Sequence, residues 1–402
     1  MCTACPLLCA DIDLPAAVRA CDHGRRMLTA SPGGVARPLD HGRPLEASAA
    51  LGAAATVLAT ARRVLVTGLG EVSLDAAVRA ADMAEQLVAA IDGGDPAMAL
   101  RSGPTVARSG AVTADFDDLR SRADVVVVWD CDPPATHPRF FERFLPPRAR
   151  VFHVGRSPAR GLPAGHVAVA LEPHERVAAL RRLTALARGP VTPLPDDALG
   201  HALAPLVAAV GGADCLGIVT GAPEGSDGGV GAWAVAEWVR AEALRRPAFE
   251  VPLPGGVGTA SGGAAGTAAL LTWRYGGPGA IARADRAGGG FRPAEAAAAL
   301  LLDRGEVDAV LVVGRPRPEA AAALTRAGER VAVVTVAPDP VVPWEIFVPV
   351  TDPLDDPGEW LRADGVAVTI PGRHPAREGA SLTSVLGQLG AALAAKLREA
   401  RR

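Results

Sequence analysis

Residues Val125–Trp129 read VVVVW, five apolar side chains in a row with none of the alternation that a half-exposed strand shows. Such a run makes a strand where both faces of its sheet are covered, and helices on both faces mark a parallel sheet. The pattern recurs. Strand-length apolar runs lie at Arg63–Thr67, Val151–Val154, Val167–Leu171, Cys215–Thr220, Ala309–Val313 and Val331–Val336. Segments of helical periodicity separate them, among them Ser73–Ala90, with Ser73 placed as its N-cap, and Pro293–Arg304. A chain of 402 residues, 49% of them hydrophobic, can fill more than one core. The fold class expected is therefore α/β, with two parallel-sheet, Rossmann-like domains behind a small N-terminal piece. The Pro-rich stretch GPVTPLPDD (residues 189–197) is the natural linker. The expected division is 1–48, 49–188, 198–350, and a C-terminal part 351–402 returning to the N-terminal piece. That last part holds a hairpin around Gly365–Ile370 and a closing helix, Leu382–Arg398.

The N-terminal piece carries the most concentrated chemistry. Cys2, Cys5, Cys9 and Cys21 are four of only six cysteines, spaced C-x2-C-x3-C-x11-C. Four thiolates in one short loop suit a [4Fe–4S] cube. Zinc is the rival, although its usual ribbon pairs two C-x2-C knuckles and the second pair here is eleven residues apart. A loop of free thiols that binds nothing is the third reading.

Elsewhere the signals are thinner. Net charge is −3 and no Lys/Arg block suggests nucleic acid or an anionic membrane. Lys396 is the only lysine beside a large excess of arginine, a compositional bias rather than a binding signal. No export signal or bilayer-length apolar run stands out, and clustered unpaired thiols point to the reducing cytoplasm. Gly68-Leu69-Gly70 follows a strand and precedes a helix, but Ser73 stands where GxGxxG has its third glycine. No acidic residue ends a clear second strand some 20 residues on, so a tight turn is expected rather than a dinucleotide site. GGVGTASGGAAG (255–266) is rich enough in glycine to let backbone approach a ligand or a neighbouring chain; a flexible surface loop is the alternative. His137 and Arg139 follow the end of a strand, where open α/β sheets bind ligands; they are placed to hold an anion or to bond loop carbonyls. Cys131 and Cys215 read as small buried thiols. Trp233 and Trp238 share a helix and are candidates for an interface, although such spacing more often marks a core. No Ser-His-Asp set, HExxH or P-loop is present.

Four stretches carry a family resemblance. CTACPLLCADI (2–12) is similar to the CTGCSLLCDDI-type opening of the B-type subunit of formylmethanofuran dehydrogenase, in the molybdopterin oxidoreductase superfamily. LRSRADVVVVWDCDPPATHPRFFERF (119–144) resembles that family's VKNRADLIIYWGCNPAEAHPRH segment. LLLDRGEVDAVLVVGRPRP (300–318) resembles its LLxxGEVDAxLxVxxDP stretch, and WEIFVPVTDPLDDPGEWLRADGVAVTI (344–370) its C-terminal ADIIIP…GTAYRMDGVPI region. The resemblance implies a cluster-bearing N-terminal domain and two α/β domains, as in oxidoreductases of the formate dehydrogenase type. It implies Cys2, Cys5, Cys9 and Cys21 as ligands of a [4Fe–4S] cluster. It also implies that the His137/Arg139 loop lies on the pterin side.

The chain departs from that family at one decisive place. A cysteine or selenocysteine in a CHGP context ligates tungsten or molybdenum there; here AMALRSGPTV keeps Gly103-Pro104 but has Arg101 and Ser102 in place of Cys-His. Arginine has no lone pair to give a metal. A tungsten or molybdenum pterin is accordingly not expected, and no residue is assigned a catalytic role. The resemblance then favours the B-type subunit of a related formyltransferase/hydrolase complex. That complex moves a formyl group from tetrahydromethanopterin to a methanofuran-type carrier and releases formate. The implied partners are its A-, C- and D-like subunits. The alternative is a working formylmethanofuran dehydrogenase subunit.

Overall fold

The computed structural model describes residues 2–12, 17–29, 36–93, 110–156, 160–189, 194–221, 229–256, 262–285, 290–353, 355, 357–371, 379–400 and 402. In chain order its strands are β1 Leu39–Asp40, β2 Arg43–Pro44, β3 Val64–Thr67, β4 Ala90–Asp92, β5 Val125–Trp129, β6 Arg150–Gly155 and β7 Val167–Ala170. They continue as β8 Leu216–Thr220, β9 Ala248–Pro252, β10 Ala309–Val313, β11 Ala332–Ala337, β12 Ile346–Pro349, β13 Gly358–Leu361 and β14 Ala367–Ile370. The apolar runs are strands as expected, each within a residue or two of its expected ends. Two parallel sheets result, and the α/β class holds.

The expected domain boundaries do not follow the sheets. One unit takes Met1–Ala99 and Gly258–Arg402, the other Leu100–Val257. In the first unit the sheet runs β2-β1-β12-β11-β10-β3-β4, so strands on both sides of the Pro-rich stretch share one ladder. β12, β11, β10, β3 and β4 are parallel. The edge is an antiparallel hairpin, β1–β2, turned by His41 and Gly42 with φ of 49° and 75°. Two positive φ values in a two-residue loop fit the right-handed strand twist. Its residues fall within the expected small N-terminal piece, 1–48, yet they extend the large sheet. The second unit holds an all-parallel sheet, β7-β6-β5-β8-β9. The stretch at 189–197 connects two helices inside that unit, Arg176–Arg188 and Ala198–Gly211, rather than joining domains.

Helices on both faces supply the cores. In the first unit, helices Ala47–Thr60, Leu74–Leu87 and Leu382–Ala400 lay alanine and leucine against one face of β3, β10 and β11; Ala298–Asp303 and Pro318–Ala327 cover the other. Ser73 caps its helix as expected, its hydroxyl accepting from the Ala76 amide at 3.3 Å. That helix ends at Leu87 rather than Ala90, because Val88 turns left-handed (φ 50°) and the chain enters β4. The expected helix from Pro293 shortens to Ala298–Asp303. In the second unit, Trp129 and Trp238 meet with ring centroids 5.9 Å apart in the core. The C-terminal hairpin pairs β13 with β14, and Trp360 and Ile370 pack on Leu8 of the cysteine loop. Among the described residues no helix is long and apolar enough to cross a membrane.

Candidate metal centre and the strand-end loops

The four N-terminal cysteines lie near one another in the first unit. Cys2 N donates to the Cys9 carbonyl at 3.1 Å, closing the loop as an isolated antiparallel bridge. Leu8, with φ of 42°, reverses the chain inside it, and its amide donates to the Cys5 carbonyl at 3.2 Å. Cys21 sits just before helix Asp22–Thr29 and accepts from the Gly24 amide through sulfur at 3.4 Å. Cys2, Cys5 and Cys9 are buried, Cys21 half-buried, and none of the six cysteines forms a disulfide.

The four sulfurs feel one another. Burial, first of all, pushes the Cys2 thiol up to about 11, and the neighbouring Cys9 and Cys21 add to the rise while the Ala4 amide works against it. Cys5 is pushed up further, again chiefly by burial, with Cys9, Cys2 and Cys21 contributing and the Leu7 amide opposing. Backbone amides thus meet three of the four sulfurs, the kind of hydrogen bond that tunes the potential of an iron–sulfur cluster. Gly24 completes the wall: a Cβ there would lie 2.9 Å from Cys2 Sγ and 3.5 Å from Cys21 Sγ.

Among the described residues no three His, Cys, Asp or Glu side chains are grouped to hold a metal ion. A tetrahedral zinc site would bring its sulfurs to about 3.8 Å of one another, given Zn–S bonds of about 2.3 Å. A cube spreads its ligands wider. What the loop offers to a cluster is three buried thiols and a half-buried fourth, amides that meet three of the sulfurs, and no Cβ at Gly24 between two of them.

The glycine-rich stretch has a purpose close by. Gly262 N donates to the Thr3 carbonyl at 3.1 Å, and a Cβ at Gly262 would strike that carbonyl oxygen at 2.8 Å. Gly263 would strike Val72 O at 2.3 Å. So Gly262 and Gly263 let backbone approach backbone of the same chain; residues 257–261 lie outside the described residues.

The other expected sites come out differently. Arg139 is nearly buried, but Nε and a terminal nitrogen hold Glu142 at 3.1 and 2.6 Å. His137 is fully buried, its Nδ1 2.9 Å from Thr136 Oγ1, and Nε2 has no hydrogen-bond partner among the described residues. Burial pushes this ring down to about 4, against the raising influence of the Pro254 carbonyl. The two residues, with Pro138 between them, have different partners, Thr136 for His137 and Glu142 for Arg139. Arg101 and Ser102, with Gly103 and Pro104, lie outside the described residues.

Sequence reasoning missed two strand-end carboxylates. Asp92 does end a second strand, beside Thr67 in the register of β3 and β4, contrary to expectation. Its oxygens accept from Ala280 N at 3.0 Å and Ala298 N at 2.7 Å. The cleft between it and Gly68–Gly70 measures about 60 Å³, where ligand pockets run to about 300 Å³ or more. The turn is tight, as expected, and the cleft beside it is small. Asp130, left-handed at φ 48°, holds Arg176 at 2.5 Å in a nearly buried ion pair. A polar residue directly after an apolar run was the available signal for both.

The architecture defines the class: doubly wound parallel α/β units with a cysteine loop packed on the C-terminal hairpin. No protein-family model matches the chain, and no curated protein matches it. Among solved structures, a chain of the formyltransferase/hydrolase complex (FhcABCD) from Methylorubrum extorquens, in complex with methylofuran, shares its fold. The TM-score is 0.71 at 19% identity, over 89% of this chain and 99% of that one.

Proposed function

We propose that this protein is the B-type subunit of a formyltransferase/hydrolase complex in methanofuran-linked one-carbon metabolism, and that its role there is structural. The observation that carries the reading is the fold shared nearly end to end with a chain of such a complex. The four sequence segments resembling the B-type subunit of formylmethanofuran dehydrogenase support the choice among the subunits. Arg101 and Ser102 in place of the metal-ligand motif argue against the dehydrogenase. Formyl transfer and hydrolysis involve no net redox step, so the loss of that ligand costs the complex nothing. The partners are the A-, C- and D-like subunits, and the complex as a whole binds the methanofuran-type carrier. The cysteine pocket is proposed to take a [4Fe–4S] cube, which supplies one-electron exchange when bound. In this chain Cys2, Cys5, Cys9 and Cys21 would hold it, and the amides of Ala4, Leu7 and Gly24 would steady the sulfurs.

The test is to purify the chain anaerobically with its partner subunits. No stoichiometric tungsten or molybdenum is expected. Formate release from formyl-tetrahydromethanopterin is expected to need the full set of subunits and to survive Arg101→Ala. About one tungsten or molybdenum per chain, or formate oxidation by the isolated chain with an artificial acceptor, would overturn the reading.

A further inference from the structure

Helices Arg176–Arg188 and Val230–Ala243 of the second unit pack side by side on its sheet. Their inner faces give Leu180, Leu183, Val235 and Trp238 to the core. The outer faces leave an open groove of about 670 Å³, lined by Val177, Arg181 and Arg188 from one helix and Val230, Trp233 and Glu237 from the other. The two tryptophans expected on one helix face have therefore separated. Trp238 is fully buried, whereas Trp233 is 48% exposed and Val230 beside it 46%. Exposing that much aromatic and branched surface in water is unfavourable unless something covers it.

The charge around the groove is one-sided. Glu237 is held by both Arg188 and Arg240, so its charge is already neutralised. Arg181 is exposed and makes no ion pair with a carboxylate among the described residues. The groove thus presents an apolar floor at Trp233, Val230 and Val177 and an excess of arginine along one rim. Val177 and Arg188 are eleven positions apart on the helix, a rise of about 16 Å at about 1.5 Å per residue. That length accepts about three turns of a third helix laid between two.

We infer that this groove is the docking surface for an amphipathic helix of one partner subunit, carrying an apolar side chain for Trp233 and a carboxylate for Arg181. The inference rests on the subunit reading above. Trp and Arg are the residue types that most often dominate an interface, and both line this groove, Trp233 on its floor and Arg181 on its rim. Rim charges such as Arg181 act mainly on association rate and salt dependence.

The test co-expresses the full chain with its A-, C- and D-like subunits, as wild type and as Trp233→Asp, Arg181→Glu and Leu244→Asp. Leu244 is 85% exposed and outside the groove, so it is the control. Thermal melts of each variant report folding separately from assembly. Trp233→Asp is expected to weaken assembly about tenfold or more with an unchanged melt, and Leu244→Asp to leave it alone. Arg181→Glu is expected to slow association and flatten its salt dependence. Wild-type assembly by both groove variants would overturn the inference while leaving the subunit reading intact. Self-association of the chain that Trp233→Asp abolishes would show a second copy as the occupant and overturn it too. Failure of the wild-type chain to bind any of the three subunits would overturn the subunit reading itself.

Discussion

His137 makes the second unit acid-sensitive in a way that can be measured. Its ring is fully buried and held neutral, with a pKa of about 4 against the ordinary 6.5, and burial is the main cause. Protonation is therefore easier in the unfolded chain. The stabilising contribution is complete above about pH 6.5 and is lost as pH falls toward 4. The gap corresponds to about 3 kcal/mol at about 1.4 kcal/mol per pH unit, of which about 2 kcal/mol is already gone at about pH 5. That is a sizeable share of the stability of an ordinary domain. His137→Asn keeps a polar atom for Thr136 Oγ1 but removes the titration. Urea melts followed by tryptophan fluorescence, repeated from about pH 8 to about pH 4.5, give the difference between the two proteins directly. Carboxylates such as Asp197, held down to about 2 by Arg182 and the Gly200 amide, titrate equally in both and cancel. The variant is expected to be the weaker protein at pH 8 because a buried ring has been trimmed, and to close that gap or pass the wild type by pH 5. Parallel stability curves, or a His137 ring that titrates near 6.5 by NMR, would refute the argument.

Two further outcomes follow from the first unit. Gly263→Ala places a Cβ 2.3 Å from Val72 O and 2.7 Å from Val72 N, both backbone atoms with no rotamer to change. A loss of about 3 kcal/mol in chemical denaturation is expected; a loss below about 0.5 kcal/mol would mean that the loop relaxes freely. Cys9→Ser, purified anaerobically, is expected to lose iron and the brown absorbance of the wild type together with thermal stability, since metal binding and folding are linked. A colourless, iron-free wild type that still assembles would show the pocket to be a relic.

Much of the fold could be read from runs such as Val125–Trp129 and Ala309–Val313 because a doubly covered strand leaves its mark on every residue. β4 was hidden by continuity of composition. The Ala-rich segment from Ser73 runs on to Ala90 with no glycine or proline to stop it, and the break falls at Val88, a β-branched residue that rarely adopts a left-handed conformation. Domain boundaries were misplaced for a different reason. Sheet order is a non-local property, and nothing within Arg63–Thr67 says that its neighbour will be Ala309–Val313. The stretch 189–197 lies between two helices of one unit, because a proline-rich segment separates helices within a domain as readily as it separates domains. The clustering of the four N-terminal cysteines was legible in their spacing, yet the place of Gly24 beside them was not, because it lies in a distance to Cys2 that spacing does not encode.

The two internal segments that carried the family resemblance turn out to build the same corner twice. Asp124 stands just before β5, and its carboxylate accepts the amides of Asp214 at 3.1 Å and Cys215 at 2.7 Å, at the entrance to neighbouring β8. Asp308 stands just before β10 and accepts the amides of Arg62 at 3.0 Å and Arg63 at 2.9 Å, at the entrance to neighbouring β3. Each carboxylate thus sets the register of a parallel pair by its first residues. The far ends match as well. Asp130 N donates to Val154 O at 2.7 Å, Gly314 N donates to Val336 O at 2.9 Å, and both residues have positive φ. A proline then opens the following helix in each case, Pro133 and Pro318. These motifs encode strand alignment and the turn into a helix, which are requirements of the architecture rather than of a reaction. The fold needs them whatever stands at positions 101 and 102, so they do not bear on the structural role proposed above, which is tested at that segment and at the cysteine loop.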